Sequence, residues 1–196
     1  MKYDLQDMRD KFFYALSPST EYTLEDFNKE YDNVNHTLET TSDYKLSVKF
    51  MNKSNNQDPE YHSDGAAGFD FRADLEYPIE IPGKNSDNNI AMVPTGLYFE
   101  LPKNMELQVR PRSGLAAKHG ITVLNSPGTV DCDYRGEVKI ILINHSPNSF
   151  KINPGDRIAQ GVINSVMTRE LLNLKKVNEL NKTDRNNGGF GSTGVK

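Results

Sequence analysis

Four stretches of this chain carry residue types and spacings that can do chemistry. The first is Pro111-Arg112-Ser113-Gly114-Leu115-Ala116. A strand-like run there hands over to a short helical one. Ser113 is placed to cap the helix, and Gly114 lets another molecule approach the backbone closely. Free N–H groups beside the fixed charge of Arg112 make a cradle for phosphate. A purely structural serine cap accounts for the same residues. The second stretch runs Asn125-Ser126-Pro127-Gly128-Thr129-Val130-Asp131-Cys132-Asp133-Tyr134-Arg135-Gly136-Glu137. It reads as a hairpin with its tight turn at Arg135-Gly136. Asp131 ends an apolar run, which would leave its carboxylate partly buried and oriented. A carboxylate held near a water is what general-base hydrolysis of a phosphoanhydride needs. Turn capping by Asp131 and Asp133 is the alternative. Cys132 has no evident histidine partner and reads as a small residue facing the core or a neighbour.

The third stretch, Gly65-Ala66-Ala67-Gly68-Phe69-Asp70, joins small residues to one aspartate. It reads as close backbone packing beside a carboxylate in a polar spot. Magnesium takes few carboxylates and relies on substrate phosphates, so one aspartate acting through water suffices. The fourth is the tail, Asn186-Asn187-Gly188-Gly189-Phe190-Gly191-Ser192-Thr193-Gly194. Four glycines around one aromatic cannot form a core strand. The segment is either a free end or a strap that closes over a ligand, with Arg185 reaching a terminal phosphate and Phe190 stacking on a base.

The elements that must position these groups follow from the hydrophobic pattern. From Tyr44 onward, Leu46, Val48 and Phe50 alternate with polar residues as in a half-buried strand. Strand-like runs follow at Ile79–Ile81, Ile90–Val93, Gly96–Leu101, Met105–Val109, Ile121–Leu124, Gly128–Asp131, Glu137–Ile143, Phe150–Ile152 and Ile158–Val166. Turns such as Pro82-Gly83, Ser126-Pro127-Gly128 and Asn153-Pro154-Gly155 separate them. Many short strands with frequent turns argue for an all-β sandwich, barrel or jelly roll. Ser113–Lys118 is the clear helical break within this body.

Residues 1–43 differ in kind. Leu5, Met8, Phe12 and Leu16 fall at helical spacing, and Ser17-Pro18 ends the run. Thr23-Leu24-Glu25-Asp26 resembles a capping box ahead of Phe27 and Tyr31. Two short amphipathic helices and a polar linker are expected, packing on the body or docking a partner. This segment holds four basic and ten acidic residues, against nineteen and seventeen in residues 44–196. The acidity of the chain therefore sits in the extension. The body is only slightly basic, which fits a small polyanionic substrate and lacks the clustered stripe of a nucleic-acid binder. No apolar run approaches the ~20 residues that span a bilayer, and Met1 to Asp10 lacks a secretory signal. The single cysteine rules out an intrachain disulfide and agrees with a reducing compartment. The four histidines show no zinc spacing.

The four stretches, together with Pro154-Gly155-Asp156-Arg157-Ile158-Ala159-Gln160, resemble the five ordered motifs of the trimeric dUTP pyrophosphatases, the dUTPase family. The resemblance covers about Tyr44 to Val195, and five motifs in order are far more specific than any one. It implies a jelly-roll β-barrel in a homotrimer, hydrolysis of dUTP to dUMP and pyrophosphate, Mg2+, and active sites shared between subunits. By this resemblance Asp131 deprotonates the water that attacks the α-phosphorus. Tyr134 lies against the deoxyribose and leaves no room for a 2′-hydroxyl. The segment from Asn125 through Gly128, Thr129 and Val130 to Lys139 pairs with uracil's edge. It rejects cytosine, and its tightness excludes a 5-methyl group. Arg112, Ser113, Gly114 and Gln160 hold the phosphates. Arg185, Ser192 and Thr193 grip the γ-phosphate, Phe190 covers the base, and Gly191 beside it is a further substrate-binding residue. Asp70 sits in the outer shell of the magnesium ion. The implied organisation is an extension over 1–43, a barrel over 44–180 and a flexible glycine-rich arm over 181–196. The implied location is cytoplasmic, or nuclear in a eukaryotic or viral setting. Residues 1–43 lie outside the resemblance and leave a protein partner open. A dCTP deaminase shares the implied fold, but that family lacks the Gly188–Gly194 pattern.

Overall fold

A computed structural model describes residues 46–189 and Ser192. The chain divides into two compact units, Met1–Ser47 and Val48–Lys196. The two helices expected before residue 32 lie outside the described residues, as do Phe190, Gly191 and Thr193 of the tail.

Among the described residues, the regular structure of the second unit is antiparallel strands with one short helix. In chain order they are β1 (Lys49–Asn52), β2 (Phe69–Arg72), β3 (Ile79–Ile81), β4 (Ile90–Pro94), β5 (Leu97–Glu100), β6 (Met105–Arg110), helix α1 (Ser113–His119), β7 (Ile121–Val123), β8 (Gly128–Val130), β9 (Lys139–Asn144), β10 (Phe150–Ile152) and β11 (Arg157–Ser165). Four strands form one sheet in the order β2-β11-β6-β8, and three form another in the order β4-β9-β7. Two-stranded ladders β1-β5 and β3-β10 complete the set. Among the described residues no helix is long and apolar enough to cross a membrane.

Period-two burial explains which face each side chain takes. In β2 the sequence Phe-Asp-Phe-Arg sends Phe69 and Phe71 inward and leaves Asp70 and Arg72 on the outer face. Phe71 is fully buried. Its ring lies 5.4 Å from that of Phe69 and 6.3 Å from that of Phe99, both edge-on. Emptying such a position costs about 3–5 kcal/mol, so the two phenylalanines lock Asp70 outward. Strand β6 does the same, with Leu107 and Val109 buried and Gln108 and Arg110 facing out.

Two expectations about strands change. Phe69–Arg72 is a strand, where the sequence suggested only close backbone packing beside a carboxylate. The hairpin expected around Arg135-Gly136 has other arms. β8 pairs with β6, while β9 pairs with β4 and β7. Leu124 continues the β7 ladder by donating to Ile141 O at 2.8 Å. The hairpin therefore runs from β7 to β9, and the intervening loop peels away so that β8 joins the other sheet. Three residues of β8 bury only Gly128, so burial on this strand is too brief to hold it against β9.

Candidate functional site: an arginine–carboxylate node and a carboxylate-bearing loop

The outward residues of the four-stranded sheet converge on Asp70. Gln160 of β11 lies directly across from Asp70 on one side and from Arg110 of β6 on the other. A β-bulge between Arg157 and Ala159 rephases β11. Ile158 and Ala159 are both buried there, so Arg157 and Gln160 both emerge on the outer face. The turn before β11 fixes this geometry. Asp156 accepts from Asn153 N at 2.7 Å, and Gly155 O accepts from Arg72 Nη1 at 3.1 Å.

Asp70 is consequently clasped by two cations. Its Oδ1 lies 3.1 Å from Arg112 Nε, and its Oδ2 lies 3.1 Å from Arg157 Nη1. His62 Nε2 stands 3.8 Å from Oδ2. The carboxylate is 11% exposed. Arg112 also donates from Nη1 to Arg157 O at 2.8 Å, tying both arginines to one frame. Its Nε–H is buried and, although close to Asp70, is not aligned with any hydrogen-bond acceptor. One carboxylate against two guanidinium groups leaves a net positive node, the charge an oligophosphate needs.

Arg112 itself is the residue that precedes α1, with extended backbone (φ −86°, ψ 127°) and no side-chain cap. Ser113 is the first helical residue and does not cap, contrary to the sequence reading. Its hydroxyl is exposed and remains free for a ligand. The first-turn amides have no intrahelical acceptor. A Cβ added at Gly114 would meet no protein atom within 4 Å, so the space beside it is open.

The second group of residues sits on the loop between β8 and β9. Asp131 follows Val130 and is exposed, not partly buried as its apolar flank implied. The flanking valine packs against the core while the chain turns outward at Asp131. Tyr134 N donates to Asp131 O at 3.1 Å and closes the turn. The Tyr134 ring then folds back over Gly136, where an added Cβ would lie 2.2 Å from the phenol oxygen and 2.4 Å from Cζ. Only a residue without a side chain leaves the ring that place. Tyr134 OH donates to Glu137 O at 3.2 Å, and Arg135 Nη1 donates to Cys132 O at 2.8 Å. Cys132 packs partly buried against the core. At the loop's other end, the Asn125 amide packs over Gly128, and Thr129 is exposed across from Gln108. Lys139 Nζ lies 3.6 Å from Glu137 Oε2.

These two groups stand apart within one chain. Val130 pairs with Leu107 in an antiparallel ladder, so Asp131 lies beyond Leu107 toward the start of β6. Arg112 and Ser113 lie beyond its end. Extended chain rises ~3.3 Å per residue, so Leu107 to Arg112 alone spans about 17 Å, and Asp131 steps one residue further away. Asp70, Arg112, Ser113, Gly114 and Gln160 are therefore gathered at one end of the sheet. Val130 and Asp131 lie toward the start of β6, with Tyr134 on the loop beyond them, whereas Gly128, with the Asn125 amide packed on it, lies across from Val109 nearer the Arg110 end. Arg185 belongs to the tail and curls on itself, its Nε donating to Gly188 O at 2.9 Å. Ser192 is exposed. Arg157 and His62 were absent from the residues expected at the site. The doubled apolar pair Ile158-Ala159 was the signal that Arg157 faces out.

Magnesium can be tested against this donor set. Among the described residues no three His, Cys, Asp or Glu side chains converge. Each Asp70 oxygen faces an arginine and retains a further lone pair. That fits a hydrated ion carried by phosphates and touched through water, not an ion caged by protein.

The chain is similar to proteins of one kind. The dUTPase family profile matches residues 54–194. The deoxyuridine 5'-triphosphate nucleotidohydrolase of Chlamydia pneumoniae is 53% identical over 138 residues, which are 70% of this chain and 90% of that protein. The enzyme of the same name from Bdellovibrio bacteriovorus is 51% identical over 153 residues, 76% of this chain and 97% of its own. Among solved structures, a dUTPase of Staphylococcus bacteriophage 80alpha with bound dUPNHPP superimposes with a TM-score of 0.66 at 22% identity, covering 77% of this chain and all of that one. A match over more than half of the chain, with relatives above 50% identity, places it: the chain belongs to the dUTPase family.

Proposed function

We propose that this protein hydrolyses dUTP to dUMP and pyrophosphate, at sites assembled between copies of the chain in a jelly-roll homotrimer. It thereby limits uracil entry into DNA and supplies dUMP. Family membership supports the reaction. The observation that carries the shared site is the separation of Asp131 from the Arg112 node. A general base must come within hydrogen-bond reach of the attacking water. That water must stand at the α-phosphorus of a phosphate chain that the Asp70–Arg112–Arg157 node is built to hold. Within one chain the strand rise sets their backbone positions about 20 Å apart. A second copy closes the gap by bringing its own loop to the node.

In this reading Asp131, exposed at the loop's turn, accepts the water's proton as the oxygen attacks. Backbone groups between Asn125 and Lys139 read uracil's edge, and the Tyr134 ring fills the space a 2′-hydroxyl would take. Groups left unpaired by a wrong base or sugar make such rejection strong. Arg112, the Ser113 hydroxyl, the Gly114 amide and Gln160 fix the phosphates, and Arg185 with Ser192 and Thr193 meets their far end. Phe190 and Gly191 close over the base. Asp70 would hold a phosphate-borne magnesium ion through water, and such an ion would supply positive charge against the leaving pyrophosphate. A cytoplasmic location suits a free nucleotide substrate.

A panel of dUTP, dCTP, dTTP and UTP, assayed for pyrophosphate and ammonia with and without Mg2+, tests this reading. Pyrophosphate from dUTP, with strong preference over the others, is expected. Comparable turnover of dCTP or UTP, or ammonia from dCTP, would overturn it. Light scattering on the same preparation should report a trimer, and an active monomer would contradict the shared site.

A further inference from the structure

The loop that carries Asp131 and Tyr134 is fastened to the turn between β4 and β5. Thr95 Oγ1 donates to Val138 O at 2.6 Å, and Val138 N donates to Leu97 O at 2.9 Å. Gly96 N donates to Glu137 Oε1 at 2.9 Å. The turn itself has little freedom. Gly96 has φ +67°, and a Cβ there would lie 2.7 Å from Ser54 Cβ and 3.0 Å from Asp74 Oδ2. Glu137 is thus held by its carboxylate on one side. On the other side its backbone carbonyl accepts the Tyr134 hydroxyl at 3.2 Å. The Glu137 side chain is only 19% exposed, although it carries a charge. Its contact with Lys139 at 3.6 Å is long and half exposed, so that pair does not account for its burial.

We propose that Glu137 is a positioning residue for nucleotide recognition. Its carboxylate pins the loop to the Gly96 amide, and its carbonyl thereby sets where the Tyr134 ring stands. This rests on the dUTP reading above, in which Tyr134 lies against the deoxyribose. Glu137 touches no reacting atom, so its loss should act on binding and sugar discrimination more than on the chemical step. The Gly96 amide needs an acceptor, not a charge, so glutamine should serve where alanine does not.

The test compares wild type, Glu137→Ala and Glu137→Gln, with kcat and KM measured separately for dUTP and UTP beside the thermal midpoint. Removing the acceptor from a charged hydrogen bond should raise KM for dUTP about tenfold, with kcat within about threefold. The preference for dUTP over UTP should narrow in the alanine variant. The glutamine variant should keep KM and preference within about threefold of wild type. An alanine variant with unchanged KM and preference would overturn the proposal. So would a glutamine variant as impaired as alanine, since the Lys139 charge pair would then be what matters. A wild type that leaves dUTP intact would overturn the dUTP reading as well. An active wild type beside an indifferent Glu137→Ala overturns this inference alone.

Discussion

Two inactive chains should restore each other. Asp131→Asn removes the base and leaves the Arg112 node intact. Arg112→Ala breaks the node and leaves Asp131 in place. Alone, the first should lose ~10²–10⁴-fold in turnover, the typical worth of a general base. The second should lose on the order of 10²–10³-fold, the worth of one donor aimed at developing charge. If a site takes its loop from one copy and its node from another, random reassembly of an equimolar mixture makes some sites whole. A site has about one chance in two of an intact loop and about one in two of an intact node. About one quarter of sites should therefore be complete in a symmetric closed oligomer. The assay is pyrophosphate release from dUTP after the two proteins are unfolded together and refolded, with each variant refolded alone as control. Recovery near one quarter of wild-type turnover, far above either parent, is expected. If every site lay within one chain, each chain in the mixture would still lack one part. Turnover no better than the sum of the two parents would refute the separation argued from the β6–β8 register.

Asp131→Asn alone should leave folding untouched, because the side chain is exposed. Its stability, read from the thermal midpoint, should change by no more than the ~0.5 kcal/mol of an ordinary surface substitution, and calorimetry with a non-hydrolysable dUTP analogue should still report binding. A variant keeping more than about a tenth of wild-type turnover would remove Asp131 from the role of base. Gly136→Ala should push the Tyr134 ring off its seat, since the new Cβ falls 2.2–2.9 Å from the ring atoms. The ring is about half exposed and can swing out, so stability should change little while UTP competes better against dUTP; an unchanged ratio of the two kcat/KM values would contradict the role given to the ring. Truncation after Asn187 removes the Gly188–Gly194 pattern and the γ-phosphate contacts assigned to Ser192 and Thr193. Ordering seven residues costs roughly 1–2 kcal/mol each, so the phosphate contacts must exceed that for closure to occur. Turnover should fall far more than the thermal midpoint or the oligomeric state, and a fully active truncated oligomer would make the tail a loose end.

What the sequence disclosed and what it withheld divide along a physical line. Leu107 and Val109 alternate with polar neighbours along β6, so burial of one face is encoded locally there, while β9 is an apolar run from Ile140 to Ile143 of which Ile140 and Leu142 are buried. Phe69–Arg72 carries the same alternation as β6, but over four residues beside a run of small ones, so the local signal was too short to mark a strand. Register is a different quantity. Nothing within Gly128-Thr129-Val130 states that it pairs with β6 and not with β9. That choice is settled by contacts far along the chain, whose burial outweighs the greater loop-closure cost of the more distant partner. The same holds at the node. Asp70, Arg112 and Gln160 each stood out by type, yet their meeting depends on the bulge at Ile158-Ala159 that turns Arg157 outward. Asp131 shows the converse. Its apolar flank predicted burial, and the carboxylate is instead exposed in the single chain. A base left in bulk water is poorly placed to orient one molecule of it, because preorganisation needs surroundings that hold both partners. In the proposed shared site those surroundings come from the nucleotide and from the node of another copy. The node of Asp131's own chain stands about 20 Å away along β6 by the strand rise, so the proposal requires that a neighbouring copy bring its node, with the nucleotide between them, to Asp131.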